Sequence, residues 1–290
     1  MFKGSFTALL TPFKDGKIDE ESYRSFIDFQ IDQGIHGLVP VGTTGESPTL
    51  SHEEHKAAIE ICLDQAKKRV PIIAGTGSNN TKEAIDLTQH AEKSGADAAL
   101  IVTPYYNKPT QMGMYAHFES ICNNSNIPII IYNVPGRSVV DMTNETMKEL
   151  FKLKNIAGVK DATADIPRVY RSKIELSDKF NLLTGDDATT FAFMLYGGHG
   201  AISVTSNIAP KLCSKFMNLC LEGKFYEAAT INDLLMPLHH ALFIESSPGP
   251  VKYAAFKLGL CSSDIRLPLM EVSGETKKTV DEALKHASLI

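Results

Sequence analysis

Residues 156–161 read Ile156-Ala157-Gly158-Val159-Lys160-Asp161, in which a lysine ends the apolar, strand-like run Ile156–Lys160. Seven similar runs recur along the first two-thirds of the chain: Ser5–Leu10, Gly37–Val41, Val70–Ala74, Asp97–Thr103, Pro128–Tyr132, Asn181–Thr184 and Gly200–Val204. The starts of the eight runs lie roughly 20 to 35 residues apart, which leaves room for the crossover helices that join parallel strands. This repetition predicts an α/β fold, a (β/α)8 TIM barrel, because doubly wound sheets more often have about five to seven strands.

Helical patterns lie between and after these runs. Apolar residues follow a helical face in Glu20–Gln33 and in Ser51–Lys67, and the second pattern begins with a Ser-x-x-Glu capping box at Ser51. After Asn207 the pattern is helical to the end, with helices predicted over Ala209–Glu222, Phe225–Phe243, Pro250–Leu258 and Gly274–Ala287. We therefore expect a catalytic barrel over residues 1–224 and a C-terminal helical extension over residues 225–290, packed on the barrel.

Composition narrows the class of partner. The chain has 290 residues and a net charge of −5, and its acidic and basic residues are interspersed. No basic face for nucleic acid, no polybasic run and no apolar stretch of about 18 residues for a membrane is evident. A small molecule is the expected partner. The five scattered cysteines lack any Cys-x-x-Cys spacing and the start of the chain lacks a signal-peptide pattern, so we expect a reduced, cytoplasmic protein.

Lys160 has two interpretations. A lysine that ends a strand usually reaches solvent, where it stays protonated and unreactive. In an apolar pocket, loss of hydration disfavours the charged form, lowers the pKa and allows the amine to form a Schiff base with a carbonyl group. The strand ends around it favour chemistry, because reactive groups of a barrel lie on the C-terminal face.

Several other strand ends carry polar side chains that support either a structural or a chemical role. The loop Gly42-Thr43-Thr44-Gly45 is typical of a tight turn, or of a cradle whose N–H and hydroxyl groups bind a small carboxylate. Tyr106 and Tyr132 could be core residues, or could form a proton relay with Thr43. Arg137 could be a surface charge, or could bind a substrate carboxylate through two hydrogen bonds.

A metal site is not expected. His52 and His55 are three residues apart on a predicted helix, whereas the zinc-protease pattern places its histidines four apart, and no third ligand group is visible in the sequence.

Three stretches resemble the pyruvate-dependent class I aldolase family: Gly37 to Ser47 (GLVPVGTTGES), Tyr132 to Arg137 (YNVPGR) and Gly158-Val159-Lys160. The likeness extends from Phe2 to Leu289. It implies condensation of pyruvate with L-aspartate 4-semialdehyde, on the route to diaminopimelate and lysine. No cofactor is implied beyond the covalent imine that pyruvate would form with Lys160.

The resemblance also implies roles for particular residues. Lys160 would form the imine, Tyr132 would donate and accept protons through Thr43, and Tyr106 would complete the relay from the neighbouring subunit of a homotetramer built as a dimer of dimers. The implied substrate contacts are Thr43, Thr44, Arg137, Gly185 and Ile202. A second site, at which L-lysine inhibits some members, would use Ser47, His52, His55, Asn79, Glu83 and Tyr105.

One departure and two alternatives accompany the resemblance. Ser247 stands where many relatives have asparagine, so it is left out of the implied site. Neuraminate lyase and keto-deoxy sugar acid aldolases share the imine lysine and the tyrosine, but Thr44, Tyr106 and Arg137 favour a short substrate with a carboxylate. A barrel that binds a ligand without catalysis is the alternative of another class.

Overall fold

The computed structural model describes residues 2–290. Its ten strands are β1 (Gly4–Ala8), β2 (Phe13–Lys14), β3 (Lys17–Ile18), β4 (Gly37–Val39), β5 (Ile73–Gly75), β6 (Ala98–Val102), β7 (Ile129–Asn133), β8 (Ile156–Asp161), β9 (Asn181–Thr184) and β10 (Gly200–Ser203). Its twelve α-helices are α1 (Glu20–Asp32), α2 (His52–Ala66), α3 (Thr81–Ser94), α4 (Gln111–Asn123), α5 (Pro135–Ser138), α6 (Asn144–Leu150), α7 (Ile166–Glu175), α8 (Thr190–Leu195), α9 (Pro210–Leu221), α10 (Phe225–Ala241), α11 (Gly249–Lys257) and α12 (Gly274–His286).

The predicted fold class is confirmed. Eight parallel strands with helices between them along the chain make a (β/α)8 TIM barrel, and helices follow the last strand. The two remaining strands, β2 and β3, form a small antiparallel hairpin. The chain divides into two compact units.

The first unit spans Ile72–Ile202 and carries the strands from β5 onward. Each of these strands pairs in parallel with the next one along the chain. Strands covered on both faces have nearly continuous apolar sequences, and the buried core here includes Ile101, Phe118, Ile129, Ile131 and Val159. This succession puts the carboxyl ends of β7, β8 and β9 side by side.

The second unit comprises Gly4–Pro71 and Ser203–Ile290. Its strands β1 and β4 pair in parallel, with Phe6 opposite Gly37 and Ala8 opposite Val39. Helix α1 packs on α2, α9 packs on β1, and α10, α11 and α12 pack on one another or on α9. The second unit therefore joins the first two βα segments of the chain to its C-terminal helices.

Element positions agree with the sequence pattern, and the differences are at the ends. All eight predicted strands are present, although the third begins at Ile73 rather than at Val70. The capping box of α2 is confirmed: the Ser51 hydroxyl accepts from the Glu54 N–H at 3.1 Å, and the Glu54 carboxylate accepts from the Ser51 N–H at 3.0 Å. The hairpin of β2 and β3 was not predicted, because two residues per strand are too few to show an alternating pattern.

The C-terminal part is helical, as the sequence predicts. Between Asn207 and the end of the described chain there are four α-helices and no strand. Among residues 2–290, no helix combines the length and the apolar character needed to span a membrane.

Candidate active site

The centre of the candidate site is a lysine and a tyrosine on neighbouring strands. Tyr132 of β7 and Lys160 of β8 are register partners. The Lys160 Nζ lies 4.2 Å from the centroid of the Tyr132 ring, and only 6% of Lys160 and 8% of Tyr132 is exposed. Lys160 is therefore buried at the end of its strand instead of extending into solvent, and its amine lies over an aromatic face that attracts a cation.

Gly185 leaves the space that Lys160 occupies. It follows β9, and its N–H donates to the Asp161 carbonyl at 2.6 Å. A Cβ atom added at Gly185 would lie 2.6 Å from the Cε of Lys160, so a larger residue would displace the lysine side chain. Ile202, in β10, is fully buried, and its neighbour Ala201 is the register partner of Thr184.

A buried arginine lies next to the same strand ends. The Arg168 Nη1 donates to both carboxylate oxygens of Asp141, at 2.8 and 2.9 Å, and the Nη2 donates to the Met142 carbonyl. The Arg168 Nε lies 3.1 Å from the Asp161 carboxylate, which makes an ion pair without hydrogen-bond geometry. Arg168 thus bridges two carboxylates.

This arginine network reaches the residues that follow Tyr132 and Lys160. Asn133 comes directly after Tyr132, and its amide donates to Asp141 at 2.7 Å. Asp161 comes directly after Lys160 and accepts from the Thr163 N–H at 2.8 Å. Burial raises the pKa of Asp161 above the ordinary carboxyl value, although Thr163 and Arg168 act in the opposite direction.

The network was not predicted from the sequence. Its only signal was the presence of an asparagine and an aspartate directly after two buried strands. The partners Asp141 and Arg168 lie in other segments, with no spacing that would identify them.

The loop with the two threonines lies in the second unit and is a tight turn. Gly45 N–H donates to the Gly42 carbonyl and Glu46 N–H to the Thr43 carbonyl, each at 3.1 Å. The Thr11 hydroxyl donates to the Gly45 carbonyl at 2.7 Å. Thr44 is buried and Thr43 is half-buried. The bonds that close the turn use the N–H groups of Gly45 and Glu46 and not those of the threonines, so the structural and the chemical interpretations of this loop are compatible.

Tyr106 and Arg137 are exposed. Tyr106 has a left-handed backbone with φ of 71°, and 88% of it is accessible. Its loop is held by Asn79, whose amide donates to the Tyr105 carbonyl at 3.2 Å and whose carbonyl accepts from the Asn107 amide at 3.0 Å. The Tyr106 ring is therefore directed away from the core of its own chain. Arg137 lies in the short helix α5, directly after β7.

The residues predicted for the lysine site occupy two segments in each unit. In the second unit, Ser47 begins a 3-10 helix, His52 is the first residue of α2, and His55 is buried on the same helix. In the first unit, Asn79 contacts Tyr105 as described, and the Glu83 carboxylate accepts from the Ser78 hydroxyl at 2.8 Å. Among the described residues, no group of three or more His, Cys, Asp or Glu side chains is placed to hold a metal ion.

Comparisons with known proteins identify the family of the chain. A sequence model of the dihydrodipicolinate synthetase family matches residues 1–287. A 4-hydroxy-tetrahydrodipicolinate synthase of Afipia carboxidovorans is 57% identical over 289 residues, which cover 100% of this chain and 98% of the relative.

Two solved structures extend the similarity to three dimensions. The chloride-inhibited dihydrodipicolinate synthase of Acinetobacter baumannii, complexed with pyruvate, is 46% identical with a TM-score of 0.98, and the match covers 100% of both chains. The enzyme of Cyanidioschyzon merolae with lysine bound is 34% identical with a TM-score of 0.96, covering 100% of this chain and 99% of that one. By its match to the family model over nearly its whole length and its similarity to these relatives, the chain belongs to the dihydrodipicolinate synthetase family, within the aldolase class that its sequence resembles.

Proposed function

We propose that this protein condenses pyruvate with L-aspartate 4-semialdehyde through a Schiff base on Lys160, giving 4-hydroxy-tetrahydrodipicolinate. The observation that carries the proposal is the buried Lys160 amine 4.2 Å from the ring centroid of Tyr132. The relatives named for this activity, and the relative solved with pyruvate, support the choice of substrates. The activity is that of a carbon–carbon lyase in the committed step of lysine biosynthesis.

The chemistry begins at the keto group of pyruvate. The unprotonated Lys160 amine adds to the keto carbon, water leaves, and the resulting imine withdraws electrons from the adjacent methyl group. A methyl proton then leaves, and the enamine carbon attacks the aldehyde of the second substrate. Tyr132 donates and accepts the protons, which pass through Thr43 and through Tyr106 of the neighbouring subunit.

Substrate recognition uses charge and backbone donors. Thr43 and Thr44 hold the pyruvate carboxylate through hydroxyl and N–H groups, and Arg137 binds the carboxylate of the semialdehyde through its guanidinium group. Gly185 and Ile202 line the imine. No cofactor takes part, because the covalent imine supplies the electron sink.

We place the chemistry in residues 1–224 and a supporting role in residues 225–290. The protein works in the cytoplasm, in keeping with five cysteines that form no disulfide bond in the described chain.

The proposed assembly is a homotetramer, a dimer of dimers. Tyr106 supports one contact because it is 88% exposed on the single chain, where a second copy could cover it. A second surface supports another contact between subunits. It consists of four apolar or aromatic side chains that are each about half exposed or more: Tyr170, Ile174, Leu195 and Tyr196. The rings of Tyr170 and Tyr196 meet edge to face, with their centroids 6.3 Å apart. Apolar side chains grouped on a surface are typical of an interface between subunits.

L-lysine is the proposed inhibitor. Ser47, His52, His55, Asn79, Glu83 and Tyr105 would bind its charged ends, and the lysine-bound relative supports this assignment. Tyr105 is adjacent to Tyr106, so a ligand that shifts the Tyr105 loop would also shift the tyrosine of the proton relay.

The deciding experiment measures turnover of pyruvate and the semialdehyde, coupled to the reductase that consumes the product, with and without lysine. We expect activity that falls at saturating lysine. Borohydride trapping with pyruvate is the companion measurement, and mass should be added to Lys160. Trapping without condensation would indicate a sister aldolase such as neuraminate lyase, and absence of trapping would indicate a barrel that only binds its ligand.

A further inference from the structure

The loop that carries Thr43 and Thr44 ends at a buried charge. Glu46 follows Gly45, and its side chain is 0% exposed. It forms an ion pair with Lys252 of α11, whose side chain is 1% exposed and which lies 206 residues away in sequence. The second carboxylate oxygen of Glu46 accepts from the Arg266 N–H at 3.0 Å.

An aromatic ring completes the surroundings of this pair. The Lys252 Nζ and the Arg266 guanidinium carbon each lie 4.2 Å from the centroid of Phe13, in the hairpin that the sequence did not predict. The Arg266 guanidinium in turn donates to Glu54 at 2.7 and 2.5 Å and to the Thr49 carbonyl at 3.0 Å. Lys252 and Arg266 thus contact Phe13 and also bond the two oxygens of the Glu46 carboxylate, one through the Lys252 amine and one through the Arg266 N–H.

A gain in folding stability is a weak explanation for the buried ion pair of Glu46 and Lys252. Removing two charges from water costs more than their attraction commonly returns, and apolar replacements of similar volume are often as stable. Burial lowers the pKa of Lys252, and the attraction of Glu46 acts against that shift. In some proteins a buried polar or ionic group fixes a geometry or register instead of adding stability.

The backbone conformation of the loop that carries Glu46 is unfavourable by itself. Val41 and Glu46, on either side of the loop, have left-handed backbones with φ of 50° and 57°. This region is rarely occupied by residues other than glycine, and least of all by a β-branched residue such as valine. Backbone of this kind persists only when its surroundings hold it, and here the holding contacts are the Glu46 carboxylate bonds and the Thr11 bond to Gly45.

We propose that Glu46 and Lys252 are positioning residues that hold Thr43 and Thr44 in the conformation that binds the pyruvate carboxylate. Helix α11 of the C-terminal extension thereby becomes part of the support of the substrate loop. The inference rests on the proposed function, because it takes the carboxylate of pyruvate as the ligand of the two threonines.

The test compares Glu46→Gln, Lys252→Met and the double variant with wild-type protein. Glu46→Gln keeps the shape of the side chain and removes its charge, and the double variant leaves no buried charge unpaired. The control is Glu271→Gln, which breaks the exposed ion pair between Glu271 and Lys277 in the same unit. The readouts are the pyruvate concentration that half-saturates borohydride trapping, the KM for the semialdehyde, kcat, and the thermal midpoint.

For both single variants and the double variant, we expect the half-saturating pyruvate concentration to rise by about tenfold or more, whereas the KM for the semialdehyde changes less than about twofold. The double variant should regain most of the thermal stability that the single variants lose, but not the pyruvate affinity. Glu271→Gln should leave every readout at its wild-type value.

Two results would overturn the inference. One is a folded double variant that is saturated by the wild-type concentration of pyruvate. The other is a double variant that no longer folds, since the pair would then be needed for the fold itself. Failure of the proposed function is a separate result, because it would show as wild-type protein that pyruvate and borohydride do not label.

Discussion

At the scale of single residues, the sequence predicted candidates for the reacting groups but not the groups that surround them in the structure. Lys160 and Tyr132 were predicted because each ends a recognisable apolar run. The Arg168 network and the pair of Glu46 and Lys252 were not, because the sequence separations of their partners range from 8 to 206 residues in the hydrogen bonds and follow no common spacing. Such contacts depend on the three-dimensional packing of elements that the sequence pattern only locates along the chain.

The Arg168 network leads to a prediction on stability. Arg168→Met should lower the free energy of unfolding by about 3 kcal/mol, because it leaves Asp161 buried without its counter-charge. Arg171→Met is the matched control on the same helix: the ion pair between Arg171 and Asp165 has side chains 52% and 42% exposed, and its loss should cost at most about 1 kcal/mol. Urea unfolding at one protein concentration measures both. Equal losses in the two variants would contradict the assignment.

The burial of His117 leads us to expect that the stability of the protein depends on pH. Burial lowers the pKa of His117 from 6.5 to about 4, so between these values the unfolded chain binds a proton that the folded protein does not. Stability is therefore retained above about pH 6.5 and lost as the pH falls toward 4. The loss from this residue between about pH 7.5 and pH 5 should be roughly 2 kcal/mol.

Comparison with His117→Gln isolates this effect. The variant should lose less stability than wild type over the same pH interval, whatever its absolute stability, as followed by urea unfolding at both pH values. His240→Gln, at an exposed position of α10, should keep the wild-type dependence on pH. A wild-type slope in the His117 variant would show that other groups are responsible.

At the scale of elements, the hydrophobic pattern was sufficient to locate strands and helices that are long and buried. The eight strand runs were located because a parallel sheet buried on both faces leaves continuous apolar sequence. The C-terminal helices were located by their helical pattern. The hairpin of β2 and β3 was missed because four residues carry no periodicity. It nevertheless places Phe13 against Lys252 and Arg266, so a short element without a pattern contacts the buried ion pair of Glu46 and Lys252.

The start of α2 can be tested directly. Ser51→Ala removes the acceptor for the Glu54 N–H and should destabilise the protein by about 1 kcal/mol. Ser25→Ala, at an exposed interior position of α1, removes a hydroxyl without a capping role and should change stability by less than about 0.5 kcal/mol. Thermal midpoints of the two variants, measured side by side, make the comparison. A Ser51→Ala midpoint no lower than that of Ser25→Ala would rule out a stabilising cap.

At the scale of the whole molecule, one of the proposed catalytic groups, Tyr106, is exposed on the single chain. Tyr106 is 88% exposed, and its backbone has a left-handed conformation within a loop. This exposure suits a side chain that works in the site of a second copy. The sequence indicated this role only through the family resemblance, because no pattern within one chain reports which subunit a side chain serves. If Tyr106 has this role, a complete site requires at least a dimer.

Mixing two inactive variants tests this requirement. Lys160→Ala removes the imine, and Tyr106→Phe removes the relay hydroxyl, so each alone should lose most activity. If Tyr106 acts in the partner, a mixed dimer has one site that joins the intact Lys160 of one copy to the intact Tyr106 of the other. Random 1:1 reassociation should then restore about a quarter of wild-type activity, because half of the dimers are mixed and each has one complete site of two. If Tyr106 acts within its own chain, every site lacks one group and the mixture stays as inactive as its components, which would remove the need for a dimer.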